Sequence, residues 1–218
     1  MIKNLVFDLG GILVDLSFPS SVEYFRPYNA AGLDLLLSEM DENHFFTRCQ
    51  AGEFSTSELI SFIQSRCEKQ ISAEEVSYGW NLCLRGIPME RIELIRRLRR
   101  KYRVFMLSNI CELHWDYINR SFFEGQNMPT GELFDELFLS YRMGMVKPDA
   151  VIYDELIRRT GIIPGETLYL DDLLPNIEAG KRAGLNTFQP PVSKMGSDGE
   201  MHMAQGEWSR SKDILSLL

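Results

Sequence analysis

The chain has 218 residues, 44% hydrophobic and 25% charged, a balance that supports a full hydrophobic core. Its formal net charge of −8 disfavours non-specific binding to DNA, RNA or anionic membranes, all of them polyanions. Cys49, Cys67, Cys83 and Cys111 show no CxxC spacing and read as reduced, partly buried thiols rather than a disulfide framework. The apolar start carries Lys3, but Asp8 and Asp15 interrupt it and no small-residue cleavage site follows, so it is not read as a secretory leader. No run approaches the roughly 20 apolar residues of a membrane span. The expectation is a soluble, cytoplasmic protein.

The first predicted element is "NLVFD" (4–8), a short apolar run ending in a turn signal, which reads as a buried strand. From about residue 19 to 87 no strand is evident. "ELISFIQSRCEKQ" and "AEEVSYGWNLCL" have helical spacing, with Ser55 and Ser72 as N-caps, so the segment reads as an all-helical insert. Phe45, Phe46, Phe54 and Phe62 are expected to form its core. A connection this long is usually functional, such as a lid. "PMERIELIRRLRRKY" then opens a helix at Pro88 and ends in a basic cluster that favours the helix C-terminus.

Strand-like runs follow at "RVFMLSN" (103–109), "DELFLS" (135–140), "TLYLDD" (167–172) and "NTFQP" (186–190). Helical patterns separate them: "CELHWDYINRSFFEG", "PDAVIYDELIRRTG" and "LPNIEAGKRAGL". Strand–helix alternation predicts an α/β fold with a doubly wound parallel sheet and helices on both faces. The expected organisation is a core of residues 1–18 and 88–218 with a helical cap at 19–87. The Gly- and Met-rich stretch 192–208 reads as a loop before a short C-terminal helix, and Met195, Met201 and Met203 in it are given no role.

In such a sheet, ligands bind at the carboxyl ends of the strands, near the point where strand order reverses. The polar residues there are Asp8, then Ser108 and Asn109, then Lys147 in "GMVKPD", then Asp171 and Asp172. Singly, each has a bland reading as a turn residue, helix cap or loop lysine. Together they suit phosphoryl transfer. Carboxylates alone would repel a phosphate ester, whereas carboxylates holding Mg²⁺ neutralise it. Lys147 supplies further positive charge, Ser108 and main-chain N–H groups can hold phosphate oxygens, and Asp8 can attack phosphorus.

The four ordered pieces "VFDLGGIL", "MLSN", "GMVKPDAVIY" and "LYLDDLLPNIEAGKRAGL" resemble the haloacid dehalogenase-like (HAD) hydrolases, and the insert resembles their helical cap. The resemblance implies Asp8 as nucleophile and Mg²⁺ ligand, with Ser108 and Asn109 on the phosphate and Lys147 steadying both charges. It implies Asp172 as a metal ligand, Asp171 as a second or outer one, and Asn176 as orienting the acid pair. It also implies a small phosphorylated metabolite as partner, no nucleic acid or membrane, and a monomer or homodimer.

Most phosphatases of this family carry D-x-D in the first motif, the second Asp serving as general acid and base. Here that position is Gly10. Its main-chain carbonyl, the family's metal-binding atom at that position, survives. The D-L-G form resembles the glucose-1-phosphate phosphatase-like branch, where a hemiacetal leaving group needs little protonation. A cap acid is the alternative, with His44 and Glu53 as candidates and a surface role the preferred reading of His44. Two other readings compete: a metal-independent 2-haloacid dehalogenase, and a catalytically weak binding or regulatory protein.

Overall fold

The computed structural model describes residues 1–30, 45–190, Ile214 and Ser216. The central sheet is built from β1 (Asn4–Phe7), β4 (Arg103–Ser108), β5 (Glu136–Leu139), β6 (Thr167–Leu170) and β7 (Asn186–Phe188). Its order is β5-β4-β1-β6-β7 and every pairing is parallel. These are the five runs expected from sequence. The central strands β1, β4 and β6 are buried on both sides because helices cover both faces, while the outer β5 and β7 are partly exposed. In β1 and β4, Leu5, Phe7, Val104 and Met106 enter one core, and Val6, Phe105 and Leu107 enter the other.

The first core is closed by α5 (Met89–Leu98) and α6 (Glu112–Ile118). The second is closed by α9 (Ala150–Thr160) and α10 (Leu174–Arg182). Helix α9 stops at Gly161, whose φ of 65° is the left-handed value that glycine adopts without strain. Short α7 (Thr130–Leu133) and α8 (Ser140–Met143) flank β5. The basic run at 96–103 is tied down locally. Arg99 donates to the Gly131 carbonyl at 2.6 Å and pairs with Asp135, and Arg103 donates to the Thr160 carbonyl at 3.1 Å.

Between β1 and β4 the chain forms α1 (Phe18–Phe25), α2 (Phe45–Gln50), α3 (Thr56–Arg66) and α4 (Ala73–Asn81). Ser55 and Ser72 cap α3 and α4 as expected. Each accepts the N–H three residues on, and Glu58 and Glu75 return the bond to the cap N–H. Phe45, Trp80, Ile63 and Val76 form a separate apolar cluster, with Phe46, Phe54 and Phe62 packed against it. Cys111 of the core and Leu113 of α6 belong to that cluster too, so the helical segment is docked on the core. Cys49, Cys83 and Cys111 are buried and Cys67 is half-buried, all as free thiols.

One feature of this segment departs from the all-helical expectation. β2 (Asp15–Leu16) pairs antiparallel with β3 (Leu84–Gly86) where the helical segment joins the core. A ribbon two and three residues long leaves no alternation to detect. Its Asp15 is held by fully buried Arg91, whose Nη2 lies 2.6 Å from Asp15 Oδ1 and whose Nη1 donates to the Leu13 carbonyl at 2.7 Å. The loop 192–208 and most of the C-terminal helix expected from sequence lie outside the described residues. Ile214, from that helix, is buried in the first core. Among the described residues, no helix is long and apolar enough to cross a membrane.

Candidate active site

Strand order reverses beside β1, since the chain passes from β1 to β4 and β5 on one side and to β6 and β7 on the other. Asp8 follows β1 there and is almost fully buried. Phe7 pairs with Leu170, so Asp8 and Asp171 leave neighbouring strands together. Ser108 ends β4 on the other side and is buried. The carboxylates of Asp8, Asp171 and Asp172 each bring an oxygen within 4.8 Å of the others.

Lys147 is the cation of this cluster. It is buried, with Nζ 2.9 Å from Asp8 Oδ1, 2.6 Å from Asp171 Oδ2 and 3.0 Å from the Leu107 carbonyl. Burial alone would lower its pKa, but the Asp171 and Asp8 carboxylates outweigh that and hold the ammonium above its ordinary range. Burial raises the Asp8 carboxyl to about 6, with Lys147 pulling it down and Asp171 pushing it up. Burial, followed by repulsion from Asp8 and Asp171, raises Asp172 to about 8. Three carboxylates facing one ammonium is an excess of negative charge.

The adjacent aspartates differ in their surroundings. Asp171 is saturated: besides Lys147 it accepts from the Tyr169 hydroxyl, the Leu173 N–H at 2.9 Å and the Asn176 amide at 3.0 and 3.2 Å. Asp172 Oδ2 is buried and has no hydrogen-bond partner among the described residues. An unpartnered buried carboxylate oxygen beside two other carboxylates suits a hard divalent cation.

Asn109 is engaged differently from a simple phosphate contact. Its Nδ2 donates to the Lys147 carbonyl and its Oδ1 accepts the Lys147 N–H, both at 2.8 Å. The amide therefore clamps the backbone that presents the lysine. Sequence reading had no way to see this pairing across 38 positions, because nothing in the local pattern marks it.

The turn after β1 separates the two glycines. Leu13 and Val14 donate to the Leu9 carbonyl, and Gly11 donates to Val14. Gly11 has a φ of 72° and needs to be glycine, whereas Gly10 lies outside the left-handed region. Among the described residues, a Cβ on Gly10 would meet only Leu16, with Cδ1 at 3.1 Å. Of the two candidate cap acids, Glu53 is exposed and paired with Arg48 at 2.7 Å, and His44 lies outside the described residues.

The helical segment touches this site through residues 50–56. Gln50 Nε2 donates to the Asn109 carbonyl at 3.3 Å. The Gln50 carbonyl accepts from Ser140 Oγ at 2.6 Å, and the same Oγ accepts the Ile110 N–H at 2.8 Å. Gly52, with a φ of 75°, lies so close to the Tyr141 carbonyl that a Cβ would stand 2.2 Å from its oxygen. Thr56 Oγ1 donates to Glu112 at 2.6 Å. Gln50, Ser140 and Gly52 carry no motif and were missed from sequence; only the structure brings them together.

A family model described as haloacid dehalogenase-like hydrolase matches residues 2–184. A D-ribitol-5-phosphate phosphatase of Bacteroides thetaiotaomicron is 32% identical over 190 residues, covering 87% of this chain and 92% of that protein. A HAD family enzyme of the same organism, solved with magnesium and inorganic phosphate, superposes with a TM-score of 0.82 at 28% identity, over 91% of this chain and 98% of that one. A predicted HAD-like family hydrolase of Porphyromonas gingivalis superposes with a TM-score of 0.78 at 31% identity, covering 87% and 91%. With the fold, the ordered strand-end motifs and these matches in agreement, the chain belongs to the haloacid dehalogenase-like hydrolases.

Proposed function

We propose that this protein is a Mg²⁺-dependent phosphatase of a small sugar or polyol phosphate, with Asp8 as its nucleophile. The observation that carries the reading is the trio Asp8, Asp171 and Asp172 around the single ammonium of Lys147. The relatives named for a polyol phosphate and solved with magnesium and phosphate support the substrate class and the metal.

Asp8, Asp172 and the Gly10 carbonyl are the atoms proposed to hold Mg²⁺, with Asp171 supporting from behind. When bound, the ion neutralises phosphate charge and polarises the phosphoryl oxygens. Lys147 keeps Asp8 ionised and oriented and adds its own positive charge to the phosphate site. Ser108 and the main-chain N–H groups after β4 receive phosphate oxygens, and Asn109 acts through its clamp on Lys147. Asp8 attacks phosphorus as the ester P–O bond breaks, the leaving oxygen takes its proton from solvent water, and a second water hydrolyses the resulting aspartyl-phosphate to free Asp8 and inorganic phosphate. Residues 19–87 act as the cap that covers the strand ends and sheds water from them. Because position 10 offers no acid, an anomeric sugar phosphate, whose leaving group demands little protonation, should turn over faster than the alkyl ester of a polyol phosphate.

One observation favours a second reading. Gly10 also fits a metal-independent dehalogenase, in which Asp8 attacks carbon. That chemistry gives no use to two further carboxylates or to the unpartnered Asp172 oxygen.

Phosphate release from an aryl phosphate and a panel of phosphorylated metabolites, with Mg²⁺ and with chelator, tests the proposal. Turnover that needs Mg²⁺ and vanishes in Asp8→Asn is the expected result. Metal-independent halide release from 2-haloacids supports the dehalogenase. No turnover of any phosphate ester would refute the enzyme reading in favour of a binding role.

A further inference from the structure

Resting on that phosphatase reading, we infer that Gln50 is a specificity-determining residue, whose carboxamide reads a hydroxyl of the substrate. Among the described hydrogen bonds, Gln50 provides the one from a side chain of the helical segment to residues 108–110. Three links join it to the nucleophile. Its Nε2 meets the Asn109 carbonyl, the Asn109 amide clamps Lys147, and the Lys147 ammonium meets Asp8. Gln50 is half-buried, so it is not sealed from solvent.

A carboxamide offers two N–H donors and a carbonyl acceptor. In Gln50 one N–H is directed at Asn109, and neither the second N–H nor Oε1 has a partner among the described residues. A donor and an acceptor side by side are the complement of a hydroxyl, which both donates and accepts. An aryl phosphate has no such group, whereas every carbon-bound hydroxyl of a sugar or polyol phosphate does.

The backbone around Gln50 is fixed independently of its side chain. Ser140 Oγ holds the Gln50 carbonyl, and Gly52 is pressed against Tyr141. The amide thus extends from a backbone that is ordered before substrate arrives, which favours selective hydrogen bonding. In Gln50→Leu the main-chain anchor to Ser140 persists while the side-chain contact to the Asn109 carbonyl is lost.

The test compares kcat/KM for a pentitol phosphate, a hexose 1-phosphate and p-nitrophenyl phosphate in wild type, Gln50→Leu and Gln50→Glu, with melting temperature recorded for each. In Gln50→Leu, the better polyhydroxylated substrate should lose roughly ten- to hundredfold in kcat/KM, because its hydroxyl is left facing an apolar group. p-Nitrophenyl phosphate, which offers no carbon-bound hydroxyl to read, should lose several times less than that substrate. Gln50→Glu should lose activity on all three substrates, since it removes the donor and places a negative charge near the phosphate. A purely structural latch would instead lower all three equally in Gln50→Leu, and that result overturns the inference while leaving the phosphatase standing. An unchanged preference in Gln50→Leu also overturns it. A wild type inactive on every phosphate ester refutes both proposals at once.

Discussion

Gly10→Asp restores the side chain that the first motif lacks, and the structure says what it costs. The backbone at Gly10 is one that any residue accepts, so no left-handed strain is incurred. The new Cβ meets Leu16 Cδ1 at 3.1 Å and Cγ at 4.0 Å, the end of a flexible side chain on a half-buried strand. A shift of a few tenths of an ångström relieves the contact, and overpacking of this kind costs about 1 kcal/mol of stability. The gain is on the leaving group. A positioned general acid contributes about 10²–10⁴-fold, roughly 3–5 kcal/mol of barrier. The expected outcome is a rise of that order in kcat for alkyl phosphates, little change for p-nitrophenyl phosphate, and a melting temperature only slightly lower. Steady-state kinetics on the two ester classes at saturating Mg²⁺, beside a thermal melt, measure all three. A folded variant that keeps its aryl phosphatase activity yet gains nothing on alkyl esters would show that the missing acid is not what limits this enzyme. The same substitution at Gly11, with its φ of 72°, should instead disrupt the turn.

Gly52→Ala should destabilise the protein by about 2–4 kcal/mol, from overpacking against the Tyr141 carbonyl together with a left-handed backbone, and should lower turnover of every phosphate ester; chemical denaturation and an aryl phosphate assay measure the two effects. The metal-free protein should lose stability as pH rises from 5 to 8.5. Asp8 and Asp172 have folded pKa values of about 6 and about 8, above the ordinary 3.8, so their protonated forms favour the fold and that contribution disappears as each ionises. Added Mg²⁺ should raise the melting temperature more at pH 8 than at pH 5.5, because protons compete with the ion at the lower pH. Asp172→Asn should flatten the metal-free pH profile while removing the Mg²⁺ response; a wild-type profile that is flat, or that rises with pH, would contradict the charge crowding described here.

The central strands β1, β4 and β6 were legible because they are buried on both faces and appear as apolar runs closed by a turn signal, whereas the outer β5 and β7 are partly exposed and were found from their place in the strand–helix alternation. The capping boxes at Ser55 and Ser72 were legible for an equally local reason, a serine followed three residues later by glutamate. What the sequence hid is non-local. The ribbon of Asp15–Leu16 with Leu84–Gly86 joins segments about 70 residues apart through too few positions to show a period. Asn109 reads as a phosphate contact because it follows Ser108, and only the fold shows both ends of its amide on the Lys147 backbone. Gln50 has no signature at all, since glutamine on a helix is ordinary until the topology sets it beside Asn109.

The Asp171–Asp172 pair shows how neighbouring identical residues come to differ. β6 ends at Leu170, and the chain then turns into α10. Asp171 points back into the layer containing Tyr169 and Asn176, where four kinds of donor hold it and it in turn fixes Lys147. Asp172 is left at the rim with an oxygen that has no hydrogen-bond partner among the described residues. Removing either carboxylate should weaken the site, but by different routes. Loss of Asp171 frees the lysine that orients Asp8, whereas loss of Asp172 takes away charge that only a cation can balance. A phosphate dianion entering the cation-free site meets this crowd of carboxylates at short range, where Coulomb repulsion is weakly screened. On the proposed assignment, cation and phosphate affinity should be coupled through Asp172 more than through Asp171, because Asp171 already has its compensating charge in Lys147.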